Sequence, residues 1–387
     1  MSVPRYDPFD RLPARFLRET GDGQAVSANE RAVLSEIWKA RTLTRSALQL
    51  RIELTQQSIH RIIAQLGARG LLVIGPLEPP SYKGKPSPRL TLNPRYACVP
   101  GISINTDSAG LALMDFAGHY ETRTLPIEGV SMRDALDRID AALDEMLAAQ
   151  GFVREDVFGI GFAISGYVVE GTQYSAPEPL AEWSFHQLGP LLSDRFGLPV
   201  WTENGANTGA LCERMLGVGT QVRNFVYLSF NYGFGGGIIV EGELLRGGFG
   251  NAGELSGMFP DAESVDRPAL RSLLEMLQAG GVKIFTINDL AHRFDMSWPG
   301  VDAWLDRVTP QFNRVYNVLN ATVDPELVVL GGQIPRPLAE ALIDRTVSYN
   351  RLRHGARRRA PDLCVSEIGG ETAAIGAAAL ALKEVYF

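Results

Sequence analysis

Four polar side chains of a kind that could hold a sugar stand in two short segments of the chain. Glu203, Asn204 and Asn207 occur where a strand is predicted to run into a helix, and Glu254 occurs in the glycine-rich segment 247–257. Carboxylate and amide groups on such loops suit the hydroxyl groups of a sugar, because each can share hydrogen bonds with a hydroxyl. The chain therefore contains candidate sugar-binding groups.

Two further glycine-rich segments could bring backbone amides close to a ligand. Residues 231–244 contain Gly233 and Gly235–Gly237 and are predicted to open a strand hairpin, and residues 324–334 predict a buried strand that ends in a glycine pair. Glycine permits positive φ and close approach of the backbone to a phosphate. A tight hairpin explains the same glycines equally well, so the pattern alone does not predict phosphate binding.

A different set of polar side chains, suited to DNA, lies in the first quarter of the chain. Apolar residues after Thr55 recur at helical spacing and predict a helix with one buried face. Gln57 and Arg61 point away from that face, with Gln56 and His60 at its flanks. Amide and guanidinium groups at the start of such a helix suit the edges of adenine and guanine. The alternative is a plain solvated face, and Thr55 is interpreted mainly as a helix cap with an incidental phosphate contact.

The surrounding elements predict a helix-turn-helix. A first helix is predicted over residues 27–41, with Ser27 and Glu30 at capping-box spacing, and a short second helix begins at Thr44. Gly70 stands where the third helix should end. Three short helices with a tight turn between the second and third are typical of this motif.

A basic hairpin is predicted to follow the third helix. Leu71–Ile74 and Arg89–Leu92 are predicted strands, and the segment between them holds too much Pro and Gly for a strand interior. Lys83 and Lys85 at its tip, together with Arg89, could reach phosphates or a minor groove. The hairpin is therefore interpreted as the wing of a winged helix-turn-helix.

The charge distribution separates a basic segment from an acidic one. The chain of 387 residues has a formal net charge of −7. Residues 27–95 carry 11 Lys and Arg against four Glu, whereas residues 96–387 carry 22 basic and 36 acidic residues. We therefore predict an N-terminal arm over residues 1–26, a DNA-binding domain over 27–95 and an acidic body over 96–387.

Cysteine usage and hydropathy indicate the compartment. The three cysteines lie far apart, which predicts neither a disulfide framework nor a cysteine-rich zinc site. The N-terminus lacks the apolar core of a signal peptide, and no run approaches the roughly 18 apolar residues of a membrane span. These observations predict a cytoplasmic protein with no membrane partner.

Strands and helices alternate through the acidic body and predict an α/β fold that is large enough for two lobes and a ligand cleft. The predicted body helices cover residues 131–149, 185–196, 207–216, 265–279, 301–320 and 337–350.

These features together resemble the ROK family, which groups bacterial transcriptional repressors with sugar kinases on the actin, Hsp70 and acetate-kinase fold. The resemblance covers roughly residues 27–387 and rests on the winged helix-turn-helix and an ordered series of motifs. In chain order these are Gly161, Ser165-Gly166, Trp183, Glu203-Asn204, Gly235-Gly236-Gly237, Ala252-Gly253-Glu254 and Leu330-Gly331-Gly332. Because the family's kinases lack the DNA-binding segment, the resemblance places this chain on the repressor branch.

Two departures from the family's kinases imply that phosphoryl transfer is absent. Their Asp-x-Gly-Gly-Thr phosphate loop corresponds to residues 103–107, Ser-Ile-Asn-Thr-Asp, which lack the leading acid and the glycines. The Asp that accepts the proton of the sugar hydroxyl corresponds to Gly205, which cannot accept one. The resemblance therefore implies no catalytic residue and no cofactor.

The zinc site of many family members is also missing. After the Ala-Gly-Glu motif, Leu255 is followed by Ser256-Gly257 where those members have Gly-His, and residues 258–275 contain no Cys or His. Zinc in such a site needs four ligands, so we predict no metal there.

The resemblance also implies which residues contact the effector. Asn204 and Glu254 should hold sugar hydroxyls, and Gly166 should allow close approach. An Asn that the family often carries nearby is missing, and Glu178 or His186 could substitute for it. Trp183 is interpreted as mainly structural.

The predicted function is a sugar-responsive transcriptional regulator, most simply a repressor, that binds operator DNA as a homodimer or homotetramer. Its effector would be a sugar or sugar derivative. Two alternatives remain open: a sugar kinase with an accessory DNA-binding domain, and a regulator whose cleft is vestigial or whose partner is a transport protein.

Overall fold

Side-chain caps define the three helices of the N-terminal region. The computed structural model describes residues 6–19, 21–78 and 86–387. Its first helices are α1 (Ala28–Ala40), α2 (Arg45–Gln49) and α3 (Gln56–Ala68). Ser27 and Glu30 form the predicted capping box, and Thr44 and Thr55 each accept a backbone N–H at the start of the next helix. Gly70 has φ +79 just after α3. The helix predictions in this region are confirmed.

A three-stranded sheet follows these helices, in the element order of a winged helix-turn-helix. Its strands are β1 (Leu43–Thr44), β2 (Leu72–Glu78) and β3 (Ser87–Leu92), in the order β1-β3-β2. The predicted strand Leu71–Ile74 was too short. A register shift between Ile74 and Leu77 lets β2 continue through Gly75 and Pro76. Lys83 and Lys85 lie outside the described residues.

The first lobe of the body is built on a mixed five-stranded sheet. Its elements are β4 (Cys98–Ile104), β5 (Ser108–Asp115), β6 (Tyr120–Pro126), α4 (Met132–Gln150), β7 (Ile160–Ile164), the ribbon β8 (Tyr167–Glu170) with β9 (Gln173–Ser175), α5 (Leu188–Phe196) and β10 (Val200–Asn204). The sheet order is β10-β7-β4-β5-β6, with β10, β7 and β4 parallel. Helix α5 begins three residues later than predicted, after Phe185, whose φ is +62.

The second lobe repeats this plan. Strand β10 leads into α6 (Gly205–Leu216), and the lobe continues with β11 (Phe225–Phe230), β12 (Phe234–Val240), β13 (Glu243–Leu244), α7 (Leu270–Ala279), α8 (Ile287–Arg293), α9 (Val301–Thr322), β14 (Leu327–Gly332), α10 (Arg336–Asp344) and β15 (Asp362–Val365). The sheet order is β13-β12-β11-β14-β15.

Helix α10 is shorter than predicted because the following chain is held in an extended form. The side-chain oxygens of Asn313 and Asn317 on α9 accept the backbone N–H groups of Val347 and Tyr349, at 2.8 and 2.7 Å. These bonds stabilise the extended chain after Asp344. The α/β fold class predicted from the sequence is confirmed, although the sequence analysis did not identify α8 or the last helix, α11 (Thr372–Tyr386).

Two helices, α6 and α11, lie together between the two sheets. Helix α11 packs on the first sheet and α6 on the second. Glycines permit these contacts: a Cβ on Gly161 would overlap the carbonyl oxygen of Ala377, and a Cβ on Gly376 would overlap that of Thr208. The apolar core of the body therefore depends on backbone-to-backbone contact along this helix pair.

The N-terminal region packs against the first lobe and α11. Arg31 of α1 donates to the carbonyl oxygens of Lys383, Glu384 and Val385 at 2.9–3.1 Å. Upstream, Phe16 is buried beside Phe158, with ring centroids 6.0 Å apart. The division into an arm, a DNA-binding domain and a body stays a prediction. No helix of the described residues has the length and apolar character needed to cross a membrane.

Candidate ligand cleft and DNA-reading surface

A cavity of about 270 Å³ opens between the two lobes. It lies at the carboxyl ends of β4, β7 and β10, where open α/β sheets commonly bind ligands. The turn between β11 and β12 and the segment that holds Glu254 and Ser256 close it from the second lobe. The polar side chains of its lining include Ser103, Ser165, Asn204, Ser229, Glu254 and Arg267.

Asn204 is fixed by four hydrogen bonds at the base of this cavity. Its side-chain oxygen accepts the backbone N–H groups of Ala206 and Asn207, at 2.7 and 3.4 Å, and so caps α6. Its amide nitrogen donates to the carbonyl oxygen of Gly166 at 2.7 Å and to Glu254 Oε1 at 3.2 Å. Because an amide has two N–H groups, both donors of Asn204 are already used. Asn204 therefore positions Glu254 in this state of the cleft.

Glu254 is the acidic group of the cavity lining. Burial raises the pKa of its carboxyl group. Its Oε1 accepts from Asn204, and the carboxylate has acceptor capacity left for a hydroxyl of a ligand. The predicted pair Asn204 and Glu254 is thus brought together. Glu254 has unused capacity to accept a hydrogen bond from a ligand, whereas both N–H groups of Asn204 are used.

Glu203 and Asn207 hold the start of α6, next to Asn204, through hydrogen bonds. Glu203 is buried, and its Oε1 accepts the Asn207 side-chain amide and the Asn204 backbone N–H, both at 2.9 Å. Its Oε2 accepts from Arg246 Nε at 2.9 Å. These bonds tie the start of α6 to the loop that carries Glu254.

Two residues that the sequence analysis missed join the lobes. The side-chain amide of Asn251 bonds both backbone groups of Val168, accepting at 2.7 Å and donating at 2.8 Å. Asp107 Oδ2 accepts the backbone N–H of Asn288 on α8 at 2.9 Å. The sequence offered no signal for either contact, because the partners lie 83 and 181 residues away.

The glycines predicted to approach a ligand mostly serve packing. Gly166 has φ +131 and lines the cavity, but a Cβ there would overlap the carbonyl oxygen of Ser175. Gly237 lies within β12 against α6, where a Cβ would meet Ala210 at 2.5 Å. Gly233 has open space around it. The hairpin interpretation of this glycine run fits the structure better than a phosphate loop.

The region where the family's kinases have a catalytic Asp is open. Gly205 lines the cavity, and the nearest atom to a Cβ built on it is the Ile164 carbonyl oxygen, 3.8 Å away. The position therefore has room for a side chain but presents none. Nearby, the Ser103 hydroxyl is buried and has no hydrogen-bond partner among the described residues.

The remaining predicted ligand residues lie elsewhere. Glu178 and His186 are exposed and, within the described part of the chain, are not among the residues that line the cavity. Trp183 is buried and stacks on Phe162, with centroids 5.9 Å apart, which fits a structural role. The ligand contacts predicted for Glu178 and His186 stay predictions.

The cavity wall next to Glu254 contains Ser256, which stands where many family members have Gly, and Gly257 follows at the position of their zinc-ligand His. The Ser256 hydroxyl donates to the Phe234 carbonyl oxygen at 2.5 Å. The described residues contain no group of three or more His, Cys, Asp or Glu arranged to hold a metal ion. Arg267, which the sequence analysis did not single out, is the cation among the described residues of the lining, and its guanidinium has no ion-pair partner there.

The second candidate surface is the exposed face of α3. Thr55 caps the helix as predicted, accepting the Ser58 backbone N–H at 3.2 Å. Gln56, Gln57, His60 and Arg61 are exposed, line one shallow depression with Thr55, and bond no side-chain partner among the described residues.

Arg89 differs from the other predicted DNA contacts. Its guanidinium bonds Glu78 across the β2–β3 hairpin, with Nε 2.6 Å from Oε1. Contact with a phosphate would therefore require Arg89 to share its charge with Glu78 or to leave it. Its role in DNA binding stays a prediction.

Part of the body is similar to a known protein family. Residues 101–266 match the model of the ROK family. A putative xylose repressor of Caldicellulosiruptor sp. is 26% identical over 332 residues, which cover 79% of this chain and 83% of that protein. A beta-glucoside kinase of Listeria monocytogenes is 37% identical over 121 residues, 31% of this chain and 41% of that protein.

Solved structures show the same fold. A ROK family transcriptional regulator, described as a homologue of the E. coli MLC protein, superposes with a TM-score of 0.66 at 20% identity. The match covers 93% of this chain and 97% of that chain. At this identity it supports the fold of the chain alone.

Proposed function

Because residues 101–266 match the model of the ROK family, we propose that this chain is a transcriptional repressor of that family whose DNA binding is controlled by a sugar or sugar derivative bound in the cleft. In this proposal α3 reads operator DNA and the wing contacts the backbone. The protein acts in the cytoplasm as a homodimer or homotetramer, so that two copies of α3 meet two half-sites.

One combination of features carries the proposal. The α3 face presents exposed amide and guanidinium groups without partners among the described residues, and the same chain has a cleft that retains Glu254 while Gly205 stands at the position of the catalytic base. A DNA-reading surface joined to a ligand site that has no side chain at the position of the catalytic base favours a sensor over an enzyme. The relative named a putative xylose repressor supports the same choice.

The two central helices provide a direct route from the cleft to the DNA-binding region. Helix α6 begins at Asn204 in the cavity, and near its other end the carbonyl oxygen of Met215 accepts the Trp38 indole N–H at 3.4 Å. The first turn of helix α11 lies beside the cavity, which Ala373 lines. Near the other end of this helix, a carbonyl oxygen accepts a hydrogen bond from Arg31. A ligand that favours one lobe arrangement would therefore move α1 as well, provided that it binds that arrangement more tightly.

The test uses the full chain and the duplexes that it selects from a random DNA library. Release of the selected duplex is then measured against neutral sugars, sugar acids and sugar phosphates, the acidic sugars being included because Arg267 lines the cavity. Glu254→Ala should abolish release by the active compound and leave DNA affinity unchanged. Glu128→Ala, which removes an exposed carboxylate outside the cavity, serves as the matched control. Undiminished release from Glu254→Ala would contradict the proposed ligand site.

A sugar kinase with an accessory DNA-binding domain is the second candidate. The beta-glucoside kinase relative favours it, because its identity of 37% is the higher of the two curated relatives described above. An ATP-dependent phosphorylation assay on the same panel separates the candidates. We expect no turnover above background, because Gly205 supplies no base; turnover that Glu254→Ala removes would establish the enzyme instead.

A further inference from the structure

A hairpin rich in arginine projects from the acidic body, far along the chain from the DNA-binding region. Residues 351–359 read Arg-Leu-Arg-His-Gly-Ala-Arg-Arg-Arg, so they hold five of the 22 basic residues of the body. The turn closes through two backbone hydrogen bonds between Arg353 and Ala356, both 2.9 Å, with His354 and Gly355 at positive φ. We call these residues the arginine hairpin.

The arginine hairpin is fully exposed and concentrates positive charge. Every residue from 351 to 360 is exposed. Among the described residues, none of its five guanidinium groups forms an ion pair, whereas Arg345, just upstream, pairs with Asp302 and Asp306. Five like charges on nine residues repel one another, and a polyanion would relieve that repulsion.

The hairpin is held to the body at both ends. On the upstream side, Asn350 donates to the carbonyl oxygen of Arg358, and the Tyr349 backbone is bonded to Asn317 of α9 at 2.7 Å. On the downstream side, the Tyr316 hydroxyl donates to the Pro361 carbonyl oxygen at 2.9 Å. The charges are therefore presented at a defined place on the second lobe.

That place is at the same end of the second sheet as the DNA-binding region. Strand register puts the start of β15, immediately after the hairpin, level with Leu327, Phe225 and Leu244, the neighbour of Glu243. Glu243 in turn lines a cavity together with Lys39 and Arg41 at the end of α1. Four strand spacings separate β13 from β15, about 19 Å. This distance is less than one turn of a DNA duplex, roughly 34 Å.

We propose that the arginine hairpin is a second DNA contact, which binds the phosphate backbone of the duplex beside the segment read by α3. The proposal rests on the proposed function. The guanidinium group suits phosphate oxygens because its planar fork donates two parallel hydrogen bonds. A protein partner is less favoured, because protein interfaces have apolar centres with few charges and the hairpin offers Leu352 as its apolar side chain.

The salt dependence of DNA binding tests the proposal. Affinity of the full chain for a random-sequence duplex of about 40 base pairs is measured across a KCl series. Replacing Arg357, Arg358 and Arg359 by Gln should lower the slope of log affinity against log salt by about two to three, since each phosphate contact contributes about 0.9. Replacing the same residues by Lys should keep most of that slope.

The matched control removes the same charge elsewhere. Arg133, Lys283 and Arg293 are exposed, have no ion pair among the described residues, and are replaced by Gln together. This control should keep the wild-type slope, and all three triple variants should unfold at the wild-type temperature because the replaced residues are exposed.

Three results would overturn the proposal. Equal slopes for the hairpin and control variants would show that the hairpin does not contact DNA. If the hairpin variant keeps the wild-type slope but sediments with a lower mass than the wild-type protein, the hairpin would instead contact the acidic surface of a second copy of the chain. A wild-type chain that binds no duplex at all would contradict the proposed function itself. If Arg61→Ala loses sequence preference while the hairpin variant keeps its slope, only the hairpin proposal fails.

Discussion

The proposed reading face of α3 and the proposed ligand cleft use similar polar groups in opposite ways. On α3, the side chains of Gln57 and Arg61 come from one helix, are exposed and bond no partner among the described residues. In the cleft, Asn204 and Glu254 come from segments 50 residues apart and bond each other. A local surface that keeps its polar groups free can be changed without cost to the fold, whereas a site assembled from several segments shares its contacts with the fold.

The first prediction concerns the helix pair behind the cleft and has the largest expected effect on stability. Gly376→Ala would place a Cβ on the Thr208 carbonyl oxygen and force α6 and α11 apart. We expect a loss of about 2–3 kcal/mol in the free energy of unfolding, measured by denaturant titration. Gly248→Ala, with no atom within 4 Å of the new Cβ, is the control and should change it by less than about 0.5 kcal/mol. Similar values for both would show that the helix contact is not essential.

The second prediction addresses Asn204, which joins the fold to the ligand site. Asn204→Ala removes the cap of α6 and frees Glu254, so we expect a loss of about 1–2 kcal/mol together with loss of the ligand response. Asn204→Asp keeps the capping acceptor but cannot donate to Glu254. It should recover most of the stability and none of the response, as measured by thermal unfolding with and without the effector.

The third prediction uses the pKa of Glu254. Burial raises this pKa in the folded protein, so the folded state binds the proton more readily than the unfolded state does. Stability from this group is therefore complete below the ordinary carboxyl range and falls as pH rises through the raised pKa. Glu254→Gln should gain stability relative to wild type as pH rises through that window. A pH-independent difference between the two proteins would contradict the buried, shifted carboxyl group.

The fourth prediction has the smallest expected effect on the fold. Arg61→Ala should change the free energy of unfolding by less than about 0.5 kcal/mol, because the side chain is exposed and has no bonding partner in the described part of the chain. The same variant should lose about 1–3 kcal/mol of preference for the selected duplex over random DNA. Lys85→Ala should instead weaken binding to all duplexes and lower the salt slope by about one. A stability loss on Arg61→Ala as large as that on Asn204→Ala would remove the contrast between the two surfaces.

Prediction from the sequence succeeded where the signal is local. The capping box of Ser27 and Glu30, the buried stripe of α3 and the stop at Gly70 all depend on residues within a few positions of one another. The glycine run of β12 was left open between a hairpin and a phosphate loop, because the pattern does not say what packs against it. Helix α11 was missed, since its Ala-rich sequence is apolar on every side and lacks the periodicity of a surface helix.

The sequence by itself determined the polar face of α3 that we propose to read DNA, the basic segment 27–95 and the acidic segment 96–387, and the glycine at position 205, which offers no proton acceptor. Helical periodicity, charge and residue type act without reference to distant parts of the chain, so these features can be read directly. Only the tertiary structure decided that Asn204 donates a hydrogen bond to Glu254, that Asp107 joins the lobes, and that the arginine hairpin lies at the same end of the sheet as α1. The two hydrogen bonds join residues 50 and 181 positions apart, and their geometry follows from the packing of α6 and α11 between two sheets.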